Sequence, residues 1–198
     1  MATSKHIYVE DPPIARALFS DIRLSWIWLI LRVYLGYQWI SASLHKFADP
    51  GWMETGVSLK GYWTGAVAIT NGKGPITYGW YRDFLNSLLA SNSYTWFGKL
   101  VPIGEFAIGL ALIIGAFVGI AATFGAFMNL NFMLAGTAST NPELFLIGML
   151  LILAWKTAGY WGLDRWLLPA LGTPWQFGEI AGGHRSAPIG GDPRAAGG

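Results

Sequence analysis

Between Lys99 and Glu143 the chain carries a single formally charged residue, Glu105. A run of that length is about twice the roughly 20 residues that cross a hydrocarbon core of about 30 Å. It predicts two membrane crossings, at about residues 97–118 and 120–138. Gly115, Gly119, Ala121 and Ala122 lie near its middle, where a tight hairpin can turn the chain. Apolar runs on either side predict a first span at about 24–46 and a fourth at about 144–161, the latter opened by Asn141-Pro142-Glu143. The pattern is that of an all-α membrane protein, an antiparallel four-helix transmembrane bundle.

The remaining segments are shorter in pattern. Residues 1–23 are polar, with Asp11, Pro12 and Pro13 ahead of a short surface helix over 14–19. Ser41, Ala42 and Ser43 imitate a signal-peptide cleavage site, but Arg32 in the middle of the apolar run and the long segment before it indicate a retained span. Residues 48–96 read as an interfacial segment. Asp49-Pro50-Gly51 and Asn71-Gly72-Lys73-Gly74-Pro75 are turn signals, and Trp52, Tyr62 and Trp63 suit the headgroup level. Within it Tyr81, Phe84, Leu85, Leu88 and Leu89 recur at helical spacing, an extra amphipathic helix on the surface or capping the bundle. Over 170–198 Gly, Pro and Ala leave no apolar periodicity, which predicts a disordered tail.

At 100° per residue, Arg32, Gly36, Trp39, Ser43 and Lys46 share one face of the first span. Tyr34, Gln38, Ser41 and His45 share nearly the opposite one. A span polar on two sides belongs inside a bundle or beside a cavity. Small residues at Ala107, Ala111, Gly115 and Gly119 on the second span, and at Ala121, Gly125 and Gly136 on the third, predict that these two pack as a close antiparallel pair. Asn129 shares the small face of the third span, and Asn131 points about 200° away from it.

Composition agrees with the pattern: 53% of the 198 residues are hydrophobic, 12% are charged, and mean hydropathy is +0.41. A net charge of +2 from scattered residues gives no nucleic-acid footprint. With 0 cysteines and 3 histidines, of which His6 and His184 lie in the tails, the chain alone is not expected to hold a metal, haem or iron–sulfur cluster. A redox role then needs a diffusible cofactor or a partner subunit.

Arg32 and Glu105 are the intramembrane charges, and an unpaired charge at mid-bilayer costs about 2.5–3.5 kcal/mol on insertion scales. At 1.5 Å per residue their backbones differ in depth by roughly 10 Å, which a long arginine side chain, a water or a ligand can bridge. They form the first candidate site, catalytic or a device that fixes helix register, with Asn129 as a third member. His45 and Lys46, at the outer end of the first span, form the second: proton exchange with a quinone headgroup, or simple anchoring of a helix end. Trp39, Tyr94 and Trp96 are placed to flank a ring.

These residues resemble a known family. Arg32-Val33-Tyr34-Leu35-Gly36 closing on Lys46-Phe47 is similar to the first-span pattern of the DoxX and DoxD membrane proteins. Gly104-Glu105 followed by Gly109, Leu110, Leu112 and Gly115 resembles their second-span signature, and Gly162-Leu163-Asp164-Arg165 their closing motif. The long insert before the second span is more similar to the DoxD-type thiosulfate:quinone oxidoreductase subunit. The resemblance implies a four-helix membrane protein tied to quinone-linked respiration.

On this reading the chain is a membrane subunit of a quinone-linked respiratory oxidoreductase. Glu105 and Arg32 are the candidate catalytic residues, His45, Lys46, Trp39 and Asn129 the candidate quinone contacts, and a diffusible quinone the cofactor. The expected partners are the lipid bilayer and another subunit of a redox complex; an oligomer is allowed. The alternative is a non-catalytic anchor or assembly subunit docked through the 78–96 helix. Small-solute transport is disfavoured because four spans without repeats are few for alternating access. The location is a prokaryotic cell membrane, with termini on the cytoplasmic side by the distribution of Arg16, Arg23, Lys156, Arg165 and Arg185.

Overall fold

A computed structural model describes residues 11–173, so the expectations for residues 1–10 and for the tail beyond 173 lie outside the described residues. The described chain is helical throughout. Helix α1 (Pro13–Ser20) starts with a proline, whose fixed φ suits a first turn. A 3-10 turn (Ile22–Leu24) leads into α2 (Ser25–Phe47). Two helices follow at the end of α2, α3 (Pro50–Met53) and α4 (Val57–Val67), then α5 (Gly79–Ala90). The apolar half of the chain supplies α6 (Tyr94–Ile114), α7 (Val118–Leu134) and α8 (Asn141–Leu153), and α9 (Trp155–Ala158) and α10 (Asp164–Ala170) close it.

Among the described residues α6 is the helix long and apolar enough to cross a membrane, with a mean hydropathy of 1.8. Helices α7 and α8 are apolar but have 17 and 13 residues, about 26 and 20 Å at 1.5 Å per residue. The helical path of α8 breaks at Ala154 and resumes as α9.

Helices α2, α6, α7 and α8 pack around one core, in which Trp28, Leu35 and Trp39 meet Leu112, Ala122 and Leu151. The intimate pairs are α2 with α6 and α7 with α8, not the second and third spans as the small-residue stripes suggested. Ala107 of that stripe is exposed. The glycines that meet are Gly36 and Gly109: a Cβ on Gly109 would lie 2.8 Å from the Gly36 carbonyl oxygen, and one on Gly36 would lie 2.9 Å from that of Gly109. With no side chain on either partner, the two backbones touch. The hairpin turns at Gly115 and Phe117, both left-handed (φ 70° and 49°), while Gly119 sits inside α7 against Trp155.

Residues 48–96 are more structured than a connection. Leu59, Trp63 and Ala66 of α4, Ile76, and Tyr81 and Leu85 of α5 form a second core against Ala135. This cap sits on the open end of the bundle, the second of the two placements expected for the amphipathic helix. Tyr81 donates to the Asn131 carbonyl and side-chain oxygens (3.0 and 3.2 Å), and Tyr62 pairs with the Thr137 hydroxyl (2.8 Å). Burial pushes both phenols upward, Tyr81 to about 12, so both remain neutral hydrogen-bonding groups at working pH.

The crossing predicts its own weak points. Alanine at Gly36 or Gly109 is expected to destabilise the protein by about 1–3 kcal/mol, the range for an overfilled contact. Alanine at Gly61 in α4, where a Cβ meets nothing within 4 Å, should be neutral or stabilising. Thermal unfolding midpoints of the detergent-solubilised variants decide between these outcomes.

Candidate functional site

Helix α2 carries a cation near each end of the bundle, Arg32 and Lys46, separated by about 21 Å along the helix. Each is bound to a different part of α6. Arg32 is 1% exposed. Its Nη1 donates to the carbonyls of Leu112 (2.5 Å) and Ile113 (3.0 Å), and Nη2 donates to that of Trp161 (2.7 Å). Two of these belong to the last turn of α6, where carbonyls lack helical partners and a cation is favoured.

Asp164 completes this end. It accepts from the backbone N–H of Phe117 (2.6 Å) and Val118 (2.9 Å) at the start of α7, the complementary use of a helix terminus. Leu163 and Asp164 N–H donate to the Ile114 and Gly115 carbonyls (3.1 and 2.8 Å). Gly162 lets this closing segment lie on the hairpin, since a Cβ there would be 2.6 Å from Gly115 Cα. Arg32 and Asp164 therefore staple the last segment to the α6–α7 turn.

The expected partnership of Arg32 with Glu105 is not formed. Glu105, also 1% exposed, is bound through both oxygens by Lys46 Nζ at 2.7 Å each. The Lys46 side chain is 20% exposed and lies over the Trp52 ring, 5.3 Å from its centre. Its flexible stem lets a cation at the end of α2 reach a carboxylate deeper in the bundle. The Arg32 and Glu105 side chains both point inward, at opposite ends. Leu35, Leu112, Leu151 and Ala122, none more than 1% exposed, fill the core of the bundle.

A cleft of about 430 Å³ opens beside the Lys46–Glu105 pair. Gln38, Trp39, Ser41 and His45 of α2 form one wall, Asn129 of α7 another, and Trp52 and Tyr62 of the cap a third. It exists because α8 starts at Asn141 and so stops short of the last turns of α2. Tyr34, one turn below Gln38, hydrogen-bonds Glu143 in the first turn of α8 (2.9 Å).

Two buried polar groups border this cleft without a hydrogen-bond partner among the described residues: Nε1 of Trp39 (3% exposed) and both amide atoms of Asn129 (0% exposed). An orphaned buried donor or acceptor costs about 1–3 kcal/mol, so these two groups are the energetically unsettled part of the cleft wall. The local charge sums to zero, because the ammonium and the carboxylate neutralise each other.

Of the residues singled out in the sequence, Glu105, Lys46, His45, Trp39 and Asn129 meet in this cleft, with His45 exposed at its rim. Arg32 lies apart, and so do Trp96, stacked on Phe97 at 3.9 Å, and Tyr94, bonded to Asn92. Sequence reasoning missed Trp52, Tyr62 and Thr137 as lining residues. Their only advance signal is that Trp52 follows Lys46 across the Asp49-Pro50-Gly51 turn. No cluster of three or more metal-ligating side chains occurs among the described residues. Comparison with family models, with characterised proteins and with solved structures returned no match.

Asp164→Asn tests the staple. It removes the charge from two short cap bonds and is expected to lower stability by about 1–3 kcal/mol, read as a lower unfolding midpoint. Arg32→Met is expected to be at least as damaging, because it strands three carbonyls, that of Leu112 in a buried setting.

Proposed function

We propose that the chain is a multi-pass membrane subunit of a quinone-linked respiratory oxidoreductase of the DoxX/DoxD kind, and that the Lys46–Glu105 cleft receives the quinone headgroup. Helices α2, α6, α7 and the broken α8–α9 run are its four spans in a prokaryotic cell membrane, with both termini on the cytoplasmic side. The outward faces of these helices support the topology: Ile30, Leu110, Phe124, Phe127, Leu146 and Leu153 are all exposed, and a bilayer would cover them.

The observation that carries the reading is a buried ionic pair bordering a cleft with orphaned donors. Quinone reduction takes two electrons and two protons. Glu105 is the candidate proton carrier at the inner end of the cleft and His45 the candidate at its rim, while Lys46 stabilises negative charge that develops on a quinone oxygen. The electrons come from a donor oxidised on a partner subunit, thiosulfate in the DoxD-type case. Arg32, held through its two terminal nitrogens by three backbone carbonyls, has no part in this chemistry and serves as a positioning and stabilising residue.

A specific feature favours the anchor reading as the second choice: Tyr78, Trp80 and Phe84 on and beside α5 are largely exposed and offer a face to a partner chain. Membranes containing the protein with its co-purifying chains separate the two. If the cleft is the quinone site, Glu105→Gln lowers thiosulfate-dependent quinone reduction at least about tenfold, the scale of a lost general acid–base group, and leaves complex assembly intact. Unchanged turnover with Glu105→Gln, together with loss of the partner chain on Trp80→Ala, would instead establish the anchor.

A further inference from the structure

The cleft's chemistry narrows what it can hold, on the reading that it is a ligand site. Its two charges are spent on one another, with Lys46 giving hydrogen bonds to both Glu105 oxygens. The other buried cation, Arg32, is committed to three carbonyls at the far end. An anion entering here meets no free buried cation. The cleft does contain neutral hydrogen-bonding groups, from Gln38 and Ser41 to Thr140, and the ones that are buried without a partner are the indole N–H of Trp39 and the amide of Asn129.

Gly125 explains how these two groups are brought together. It precedes Asn129 by one turn of α7, so the two positions lie on the same face. A Cβ on Gly125 would sit 3.1 Å from Trp39 Nε1 and 3.4 Å from the Ile108 side chain. The missing side chain thus lets the Trp39 indole pack closely on α7, one turn from the position from which the Asn129 amide extends.

We propose that the cleft selects an uncharged ligand and grips one of its oxygens between Trp39 Nε1 and the Asn129 amide. A carbonyl oxygen there accepts from the indole N–H and from Asn129 Nδ2. A hydroxyl in the same place donates to Asn129 Oδ1, so the one amide accommodates both the oxidised and the reduced form of a carbonyl/hydroxyl couple. An anionic substrate such as a sulfur oxyanion binds on another chain.

The test is a set of dissociation constants for the full chain in lipid nanodiscs, with four probes sharing one decyl tail: a 1,4-benzoquinone, an aryl methyl ketone, the plain alkylbenzene and the para-substituted benzoate anion. The quinone and the ketone should bind about ten- to a hundredfold more tightly than the alkylbenzene, the range for one well-placed pair of hydrogen bonds. The benzoate should bind no better than the alkylbenzene. Asn129→Leu should bring the quinone and ketone down to the alkylbenzene level without changing the alkylbenzene itself, and Gly125→Ala should act in the same direction. Asn129→Leu should not lower the unfolding midpoint, because it removes an unpartnered buried amide, and that result guards against a folding artefact. Quinone and ketone binding that is indifferent to Asn129→Leu, or tight benzoate binding, overturns the proposal. Asn129-dependent binding of the ketone without binding of the quinone leaves it standing and removes the quinone reading.

Discussion

The contact between Gly36 and Gly109 sets the register of everything else. Once two backbones meet at one point, every other pairing along the two antiparallel helices is fixed. Arg32, one turn before Gly36, is carried to the carbonyls of Leu112 and Ile113, just after Gly109. Glu105, one turn before Gly109, is carried to the other side of the crossing, where Lys46 can reach it. A bulkier residue at the crossing would shift α2 against α6 and break both ionic arrangements together.

The two arrangements then have different physical characters. At the hairpin end, a guanidinium answers carbonyls and a carboxylate answers N–H groups, so each charge meets a helix terminus and, of the polar atoms of Arg32 and Asp164, only Arg32 Nε is left unpartnered. At the cap end, the charges answer each other and the surrounding polar groups are left unanswered. A satisfied network rigidifies, whereas an unsatisfied one waits for a partner. That contrast, more than the presence of charge in an apolar chain, separates the part of the molecule that holds the fold from the part that can take a ligand. The short α8 makes the difference possible, because the neighbouring helix stops before it covers Gln38, Ser41 and His45.

Much of this was legible in the sequence, and the misses have identifiable causes. The face of α2 holding Arg32, Gly36, Trp39 and Ser43 is buried as its 100° spacing indicates. So is the face of α7 holding Ala121, Gly125 and Asn129. Pairing was harder. The depth estimate that separated Arg32 from Glu105 by roughly 10 Å was itself a reason against joining them, and Lys46 was placed with His45 in a separate candidate site at the helix end. Side-chain length, which lets Lys46 reach inward, does not appear in a helical wheel. Small-residue spacing also misled: Ala107 and Ala111 repeat at four residues, but the glycine that contacts α2 is Gly109, and nothing in a single sequence says which small face meets which helix. The cap was read as a connection because Gly and Pro interrupt it, although Leu59, Trp63, Tyr81 and Leu85 hold enough apolar surface to form a core of their own.

The staple at Arg32 and Asp164 also bears on how the protein is made. Trp161, which binds one terminal nitrogen of Arg32, and Asp164, which caps the start of α7, leave the ribosome after all of the longer helices. Until they arrive, one nitrogen of the guanidinium and a pair of backbone amides lack the partners they have in the finished fold. A chain that stops short of its closing segment would therefore leave the α6–α7 turn unfastened, and the last residues synthesised are the ones that lock the earlier helices.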